Sequence, residues 1–212
     1  MLSDLVVVGT GGFGREVIDV IDAVNQVQPT WNLLGCVDDA PSPRNLELLE
    51  TRGVSHLGDR DALRSMHAET SCIVGIGSPS VRRNIAEAFD AAGIRWATLI
   101  HPSATLGFGV TLGVGSVVCA GVQLTTNIHV GRHVGFNPGV TVGHDTSIGD
   151  FVSVNPRAAI AGDVTVESGV LLGIGSVVLQ GLTIGAESVV GGSACVTKDV
   201  APGAIVKGVP AR

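Results

Sequence analysis

Between residues 139 and 160 the chain reads Gly139-Val-Thr-Val142-Gly-His-Asp-Thr-Ser-Ile148-Gly-Asp-Phe-Val-Ser-Val154-Asn-Pro-Arg-Ala-Ala-Ile160. An aliphatic residue returns every six positions, at Val142, Ile148, Val154 and Ile160. Extended both ways, the register runs without insertion from Ile100 to Val196, seventeen positions that are all apolar and all aliphatic except Phe136. An α-helix would return its apolar residues every 3.6 positions and would not tolerate this much glycine. A plain strand alternates with period two. A period of six fits a short flat strand plus a corner, with the aliphatic residue pointing inward. The residue after it is often Gly or Asn (Gly107, Gly113, Asn137, Gly143, Asn155), which this reading assigns to the unusual backbone angles of the turn. The residue four after it is small or β-branched, as at Ser116, Val134, Thr146 and Ala158. Three hexads close one triangular coil of 18 residues. A little over five such coils make a prism roughly 25 Å tall at the ~4.8 Å strand spacing.

Composition fits that picture. The chain has 212 residues, 45% hydrophobic but only 3% aromatic, with no tyrosine, so Val, Ile, Leu and Ala fill its core. The net charge of −6 argues against nucleic acid or an anionic membrane surface as partner. Cys36, Cys72, Cys119 and Cys195 form no CxxC pair, so they read as buried thiols of a reducing compartment rather than a zinc or redox site. Met1-Leu-Ser-Asp4 lacks the basic start of a signal peptide, and no apolar run approaches membrane-spanning length; the expected location is the cytoplasm.

The first hundred residues differ. Leu5-Val-Val-Val-Gly9 is a strand, Thr10-Gly-Gly-Phe-Gly14 a glycine turn, and Arg15 to Val27 an apolar-periodic helix. Further strands are expected at Leu33–Val37, Cys72–Ile76 and about Arg95–Leu99, and a helix from about Ser80 to Ala92, N-capped by Ser78. The alternation gives a small parallel sheet, a Rossmann-like domain over residues 1–99, followed by the β-helix over residues 100–212. Gly9, Gly11 and Gly14 make a GxGxxG, and Asp38 and Asp39 sit where a ribose-binding acid would be. Alone this points to a nicotinamide dinucleotide. About four strands are too few for a full dinucleotide fold, and a nucleotide-sugar fits half a fold better.

The hexads resemble the left-handed β-helix of the hexapeptide-repeat acyltransferases. The combination is more specific. The Gly9–Glu16 turn, Gly35-Cys-Val-Asp-Asp39, the segment from Ile76 to Arg83 and His101-Pro-Ser-Ala104 together resemble one family. It is the sugar acetyltransferases that include the bacterial UDP-4-amino-sugar N-acetyltransferases and the sialic acid O-acetyltransferases. The resemblance spans Val6 to Arg212 and implies left-handedness, a homotrimer, acetyl-CoA as co-substrate without a metal, and a sugar or UDP-sugar acceptor.

Acetyl transfer needs a base for the attacking amine or hydroxyl, and imidazole suits it. The histidines are His56, His67, His101, His129, His133 and His144. His144 falls two places after Val142, at an outward corner, with Asp145 next to fix its tautomer. The family's catalytic histidine and acid map onto His144 and Asp145, and Asn137 matches one hexad earlier. Gly162 lies one coil beyond His144, where its backbone N–H could meet the oxyanion. His129 and His133 read as solvated surface, and His101 as a tether between domains. The resemblance places the coenzyme along Ser153, Gly162, Gly173, Ile174 and Gly192, and the sugar at Gly11, Gly12, Phe13, Asp38 and Asp39.

Two departures stand out. Relatives often carry a second histidine where this chain has Ser153, and another in the glycine turn where it has Phe13. The only lysines, Lys198 and Lys207, are expected to meet the coenzyme's phosphates. Acyl transfer to an amino sugar is the leading reading. O-acetylation of a sialic acid or other sugar hydroxyl, and a non-catalytic nucleotide-sugar scaffold, are the alternatives.

Overall fold

The computed structural model describes residues 2–66, 69–90 and 92–212; His67 lies outside them. Strand β1 (Ser3–Val8) leads through the glycine turn into helix α1 (Gly12–Val27), then β2 (Trp31–Val37) and α2 (Pro43–Thr51). A short 3₁₀ turn (Arg60–Ser65) precedes β3 (Ser71–Val74), α3 (Pro79–Asp90) and β4 (Arg95–Trp96). The sheet is parallel with order β2-β1-β3-β4, so the chain reverses direction across the sheet at β1. Helix α2, which hydrophobic periodicity does not announce, starts at the N-cap of Ser42, whose side chain accepts from Asn45 N–H. The expected last strand divides. Arg95–Trp96 closes the sheet, and Leu99–Ile100 already belongs to the prism.

From Leu99 onward two-residue strands build three flat parallel sheets. Face 1 has seven strands, from Leu99–Ile100 to Ile205–Val206; face 2 has six, from Thr105–Leu106 to Cys195–Val196; face 3 has five, from Thr111–Leu112 to Thr183–Ile184. Neighbours pair at a spacing of 18, as Thr141 with Ala159 and Val142 with Ile160. The last coil is two residues shorter, so that Val189 pairs with Ile205 and Ile184 bridges Val200. Asp199 Oδ1 closes that shortcut by accepting from Thr183 N–H at 2.8 Å.

The inward residues from Val118 to Val196 are buried. Ile100 and Leu106 are partly open (38% and 36% exposed), because no coil lies beneath the first one. The corners correct one expectation. Left-handed backbone falls three places after the inward residues from Leu106 to Val190, at Gly109, Gly115, Gly121, Asn127, His133 and on to Ser193, and not one place after. The glycines one place after serve close approach instead. A Cβ on Gly143 would lie 2.5 Å from Gly162 N, and one on Gly113 would lie 2.5 Å from Arg132 N.

This separates two kinds of glycine by experiment. Gly121→Ala should cost about 1–2 kcal/mol through its left-handed angle, since no atom lies nearer than 4.0 Å to its added Cβ. Gly113→Ala, driven into the next coil's backbone, should lower the melting temperature further; equal shifts would contradict the assignment.

Candidate active site

The first half of the site lies at the carboxyl ends of β1 and β2. Gly9 takes φ +110°, which suits glycine, and an added Cβ on Gly14 would lie 2.1 Å from Gly9 O, so α1 packs directly on the turn. Gly11 caps α1 without a side-chain bond, and nothing lies within 4 Å of a Cβ added to Gly11 or Gly12. The positive end of α1 therefore opens to an anion. Asp38 Oδ2 accepts from Thr10 N–H (2.8 Å) and Thr10 Oγ1 (2.6 Å), and Oδ1 accepts from Ala40 N–H. Partial burial would raise this carboxyl, but these hydrogen bonds outweigh it and hold the group below its ordinary range. Asp39 pairs with Arg60 at 2.9 Å. Both acids line a pocket of about 190 Å³ with Gly9, Ala40, Arg60 and Ile76, in the crevice where the strand order reverses.

This domain covers face 1 of the prism. Phe13 stands over Gly135, where an added Cβ would be 3.4 Å from its ring, and Glu16 Oε2 accepts from Asn137 Nδ2 at 3.1 Å. Gly135 is the register partner of Ser153, so Phe13 and Ser153, the two departures, fall on neighbouring strands of one patch. Ser153 is buried, with its hydroxyl donating to Gly77 O at 2.7 Å and accepting from Arg82 Nη2 at 2.9 Å. Its one hydroxyl hydrogen is committed to the domain junction.

The second half lies on the opposite side. His144 is at the corner between faces 2 and 3, across the prism from face 1. Its Nδ1 meets Asp145 Oδ2 at 2.8 Å, and Asp145 takes φ 59°. Hydrogen bonds from His144 and then Asn127 hold the Asp145 carboxyl below its ordinary range. With Nδ1–H given to the carboxylate, Nε2 carries the lone pair. A Cβ on Gly162 would lie 2.5 Å from that Nε2, so glycine keeps the approach to the nitrogen open.

The expected site residues thus divide between two corners. His144, Asp145, Gly162 and Lys198 stand between faces 2 and 3. Asn137, Gly173, Ile174, Gly192 and Lys207 stand between faces 1 and 2. One prism holds them apart.

Residues 4–89 match the family model of the PglD N-terminal domain. GDP-perosamine N-acetyltransferase of Escherichia coli O157:H7 is 30% identical over 175 residues, 82% of this chain and 77% of the relative. The chain belongs to the hexapeptide-repeat sugar acetyltransferases. PerB from Caulobacter crescentus, solved with CoA and GDP-perosamine, superposes with a TM-score of 0.89 at 30% identity, over 100% of this chain and 97% of PerB. The acetyltransferase domain of PglB from Neisseria gonorrhoeae FA1090 does so with 0.87 at 28% identity, over 99% and 98%.

In this acetyltransferase the structure relocates two histidines. Among the described residues His101 bonds to no group of the N-terminal domain; its Nδ1 accepts from Ser103 N–H and lies 2.8 Å from Ser103 Oγ, within one local turn. His133 is not at the surface. It is fully buried, in edge contact with Trp96 (4.9 Å) and stacked on Phe151 (5.4 Å). Neither ring nitrogen has a hydrogen-bond partner among the described residues. His129 is exposed, as expected, with Nδ1 3.0 Å from Thr111 Oγ1.

Sequence reasoning missed Arg82. The quoted segment ends on Arg83, which pairs with Glu187 at the surface. Arg82 is 1% exposed and donates to His133 O, Ile76 O, Phe151 O, Val152 O and Ser153 Oγ. Burial pulls it down to about 10.

Burial, then the nearby Arg132 and Arg82, push His133 down to about 4. In the unfolded chain it titrates near ~6.5. Between these values only the unfolded state binds the proton, so stability falls as pH drops through that window. The loss should reach about 2–3 kcal/mol by pH ~4.5, and His133→Asn should flatten the fall in melting temperature between pH ~7 and ~4.5. An unchanged pH dependence in the variant would contradict the buried neutral imidazole.

Proposed function

We propose that this acetyltransferase moves the acetyl group of acetyl-CoA to the amino group of a nucleotide-linked amino sugar, at a site shared by two copies of the chain. The observation that carries the reading is the pairing of His144 with Asp145 under Gly162, on a corner facing away from the nucleotide crevice. An acceptor held at Gly11, Gly12, Phe13, Asp38 and Asp39 sits on the side of face 1. It meets the His144 imidazole only if another copy brings that corner there. The same contact would set the partner's corner against Asn137, Gly173, Ile174 and Gly192. A trimer closes such a heterologous contact.

The sugar's amine attacks the thioester carbonyl as His144 Nε2 takes its proton. Asp145 stabilises the imidazolium through Nδ1–H. Gly162 N–H, unbonded among the described residues, is placed to meet the oxyanion. Collapse breaks the C–S bond, and His144 returns the proton to the departing thiolate of coenzyme A. No acyl-enzyme is needed. Cys119 is buried and pushed up to about 12, which suits no nucleophile. Lys198 stands three coils beyond His144 on the same corner, about 14 Å along the prism, a reach that suits the coenzyme's phosphates.

The family resemblance carries a UDP-sugar, whereas the E. coli relative acts on GDP-perosamine and PerB was solved with it. A transfer assay with UDP- and GDP-linked amino sugars, and with a sialic acid as hydroxyl acceptor, decides between carriers and acceptors. In that assay His144→Ala should lower kcat by about 10²–10⁴ with little change in the acetyl-CoA KM. Full activity in the variant would remove His144 as the base.

A further inference from the structure

Asp145 is held from two sides. Oδ2 faces His144 Nδ1, and Oδ1 accepts from Asn127 Nδ2 at 3.1 Å. Asn127 stands one coil before Asp145 on the same corner, and both have left-handed backbone, at φ 55° and 59°. The Asn127 carboxamide lies over Gly109, where an added Cβ would come within 2.9 Å of Asn127 Oδ1. One column of the prism, Gly109, Asn127 and Asp145, therefore sets where the carboxylate points.

That support matters because the His144–Asp145 pair is half exposed (52% and 53%), and water competes for an exposed pair. An amide Nδ2–H can only donate, so it pins one carboxylate oxygen and favours the ionised form. We infer that Asn127 is a positioning residue for acetyl transfer: it fixes Asp145 so that Oδ2 stays on His144 Nδ1 and Nε2 stays bare. The inference rests on the reading of His144 as the base. The charged groups on this corner near the imidazole are Asp145 beside it and Asp163 one coil beyond, whose N–H donates to His144 O at 2.7 Å. Thr126, one coil before His144, is uncharged.

The test is steady-state kinetics of Asn127→Gly and Asn127→Asp over a range of pH, in the wild-type and Asp145→Ala backgrounds. Both replacements accept a left-handed backbone. Asn127→Gly should lower kcat about tenfold and leave the acetyl-CoA KM within about twofold. Asn127→Asp sets a second carboxylate against the first and should move the acidic limb of kcat/KM to higher pH. In the Asp145→Ala background Asn127→Gly should have no further effect. The same loss in both backgrounds with an unmoved acidic limb would be a purely structural effect and would overturn the inference, as would wild-type kcat in Asn127→Gly. His144→Ala, measured alongside, separates the two readings. If it stays active the base assignment fails; if it is dead while Asn127→Gly runs at the wild-type rate, only the positioning role fails.

Discussion

Strand residues in each coil of the prism donate backbone N–H groups to the coil after it, so residue i lies under residue i+18. Thr141 N–H to Ala158 O and Gly143 N–H to Ile160 O are two rungs of this ladder. Its rigidity turns a sequence interval into a position in space. His144 comes under Gly162 and Asn127 under Asp145 because each pair is 18 residues apart. No loop has to fold correctly to assemble the pair. At the corner the left-handed residue reverses the direction of donation, as when Asp145 N–H bonds to Thr126 O. That backbone also lets the Asp145 carboxylate face the imidazole of the preceding residue. His133 has the same conformation and stacks on Phe151, one coil beyond.

The second constraint is Arg82. A guanidinium at 1% exposure, without a carboxylate partner among the described residues, is tolerated only because carbonyl and hydroxyl oxygens meet its donors. These acceptors come from both domains: Ile76 O from the turn after β3, and Phe151 O, Val152 O and Ser153 Oγ from the prism. The ion therefore seats the N-terminal domain on face 1 at a fixed height. Ser153, where relatives often carry a histidine, is part of that seat. Phe13 lies on the same patch, so both departures fall where the N-terminal domain meets the prism, away from His144.

Much of the prism could be read from the chain because a period of six held over seventeen successive positions leaves no competing fold. The register also gave the corner of His144 and the stacking of Gly162. It misplaced the left-handed angle, because asparagine, histidine, aspartate and phenylalanine fill that corner position as well as glycine. His133 and Arg82 were illegible for another reason. Their burial comes from α3 and Trp96 packing on one corner, a contact between segments some fifty residues apart (Arg82 Nε to His133 O, separation 51) that no local pattern records.

The account turns on one claim: His144 of one copy serves an acceptor held by another. Mixing two inactive variants tests it most directly. His144→Ala removes the base, and Gly12→Trp fills the open space at the positive end of α1. After co-refolding, mixed assemblies contain interfaces where an intact corner meets an intact crevice, so activity should return to a sizeable fraction of wild type. Activity that stays at the level of the separate variants, in assemblies shown to be mixed, would place both halves of the site within one chain and contradict the account.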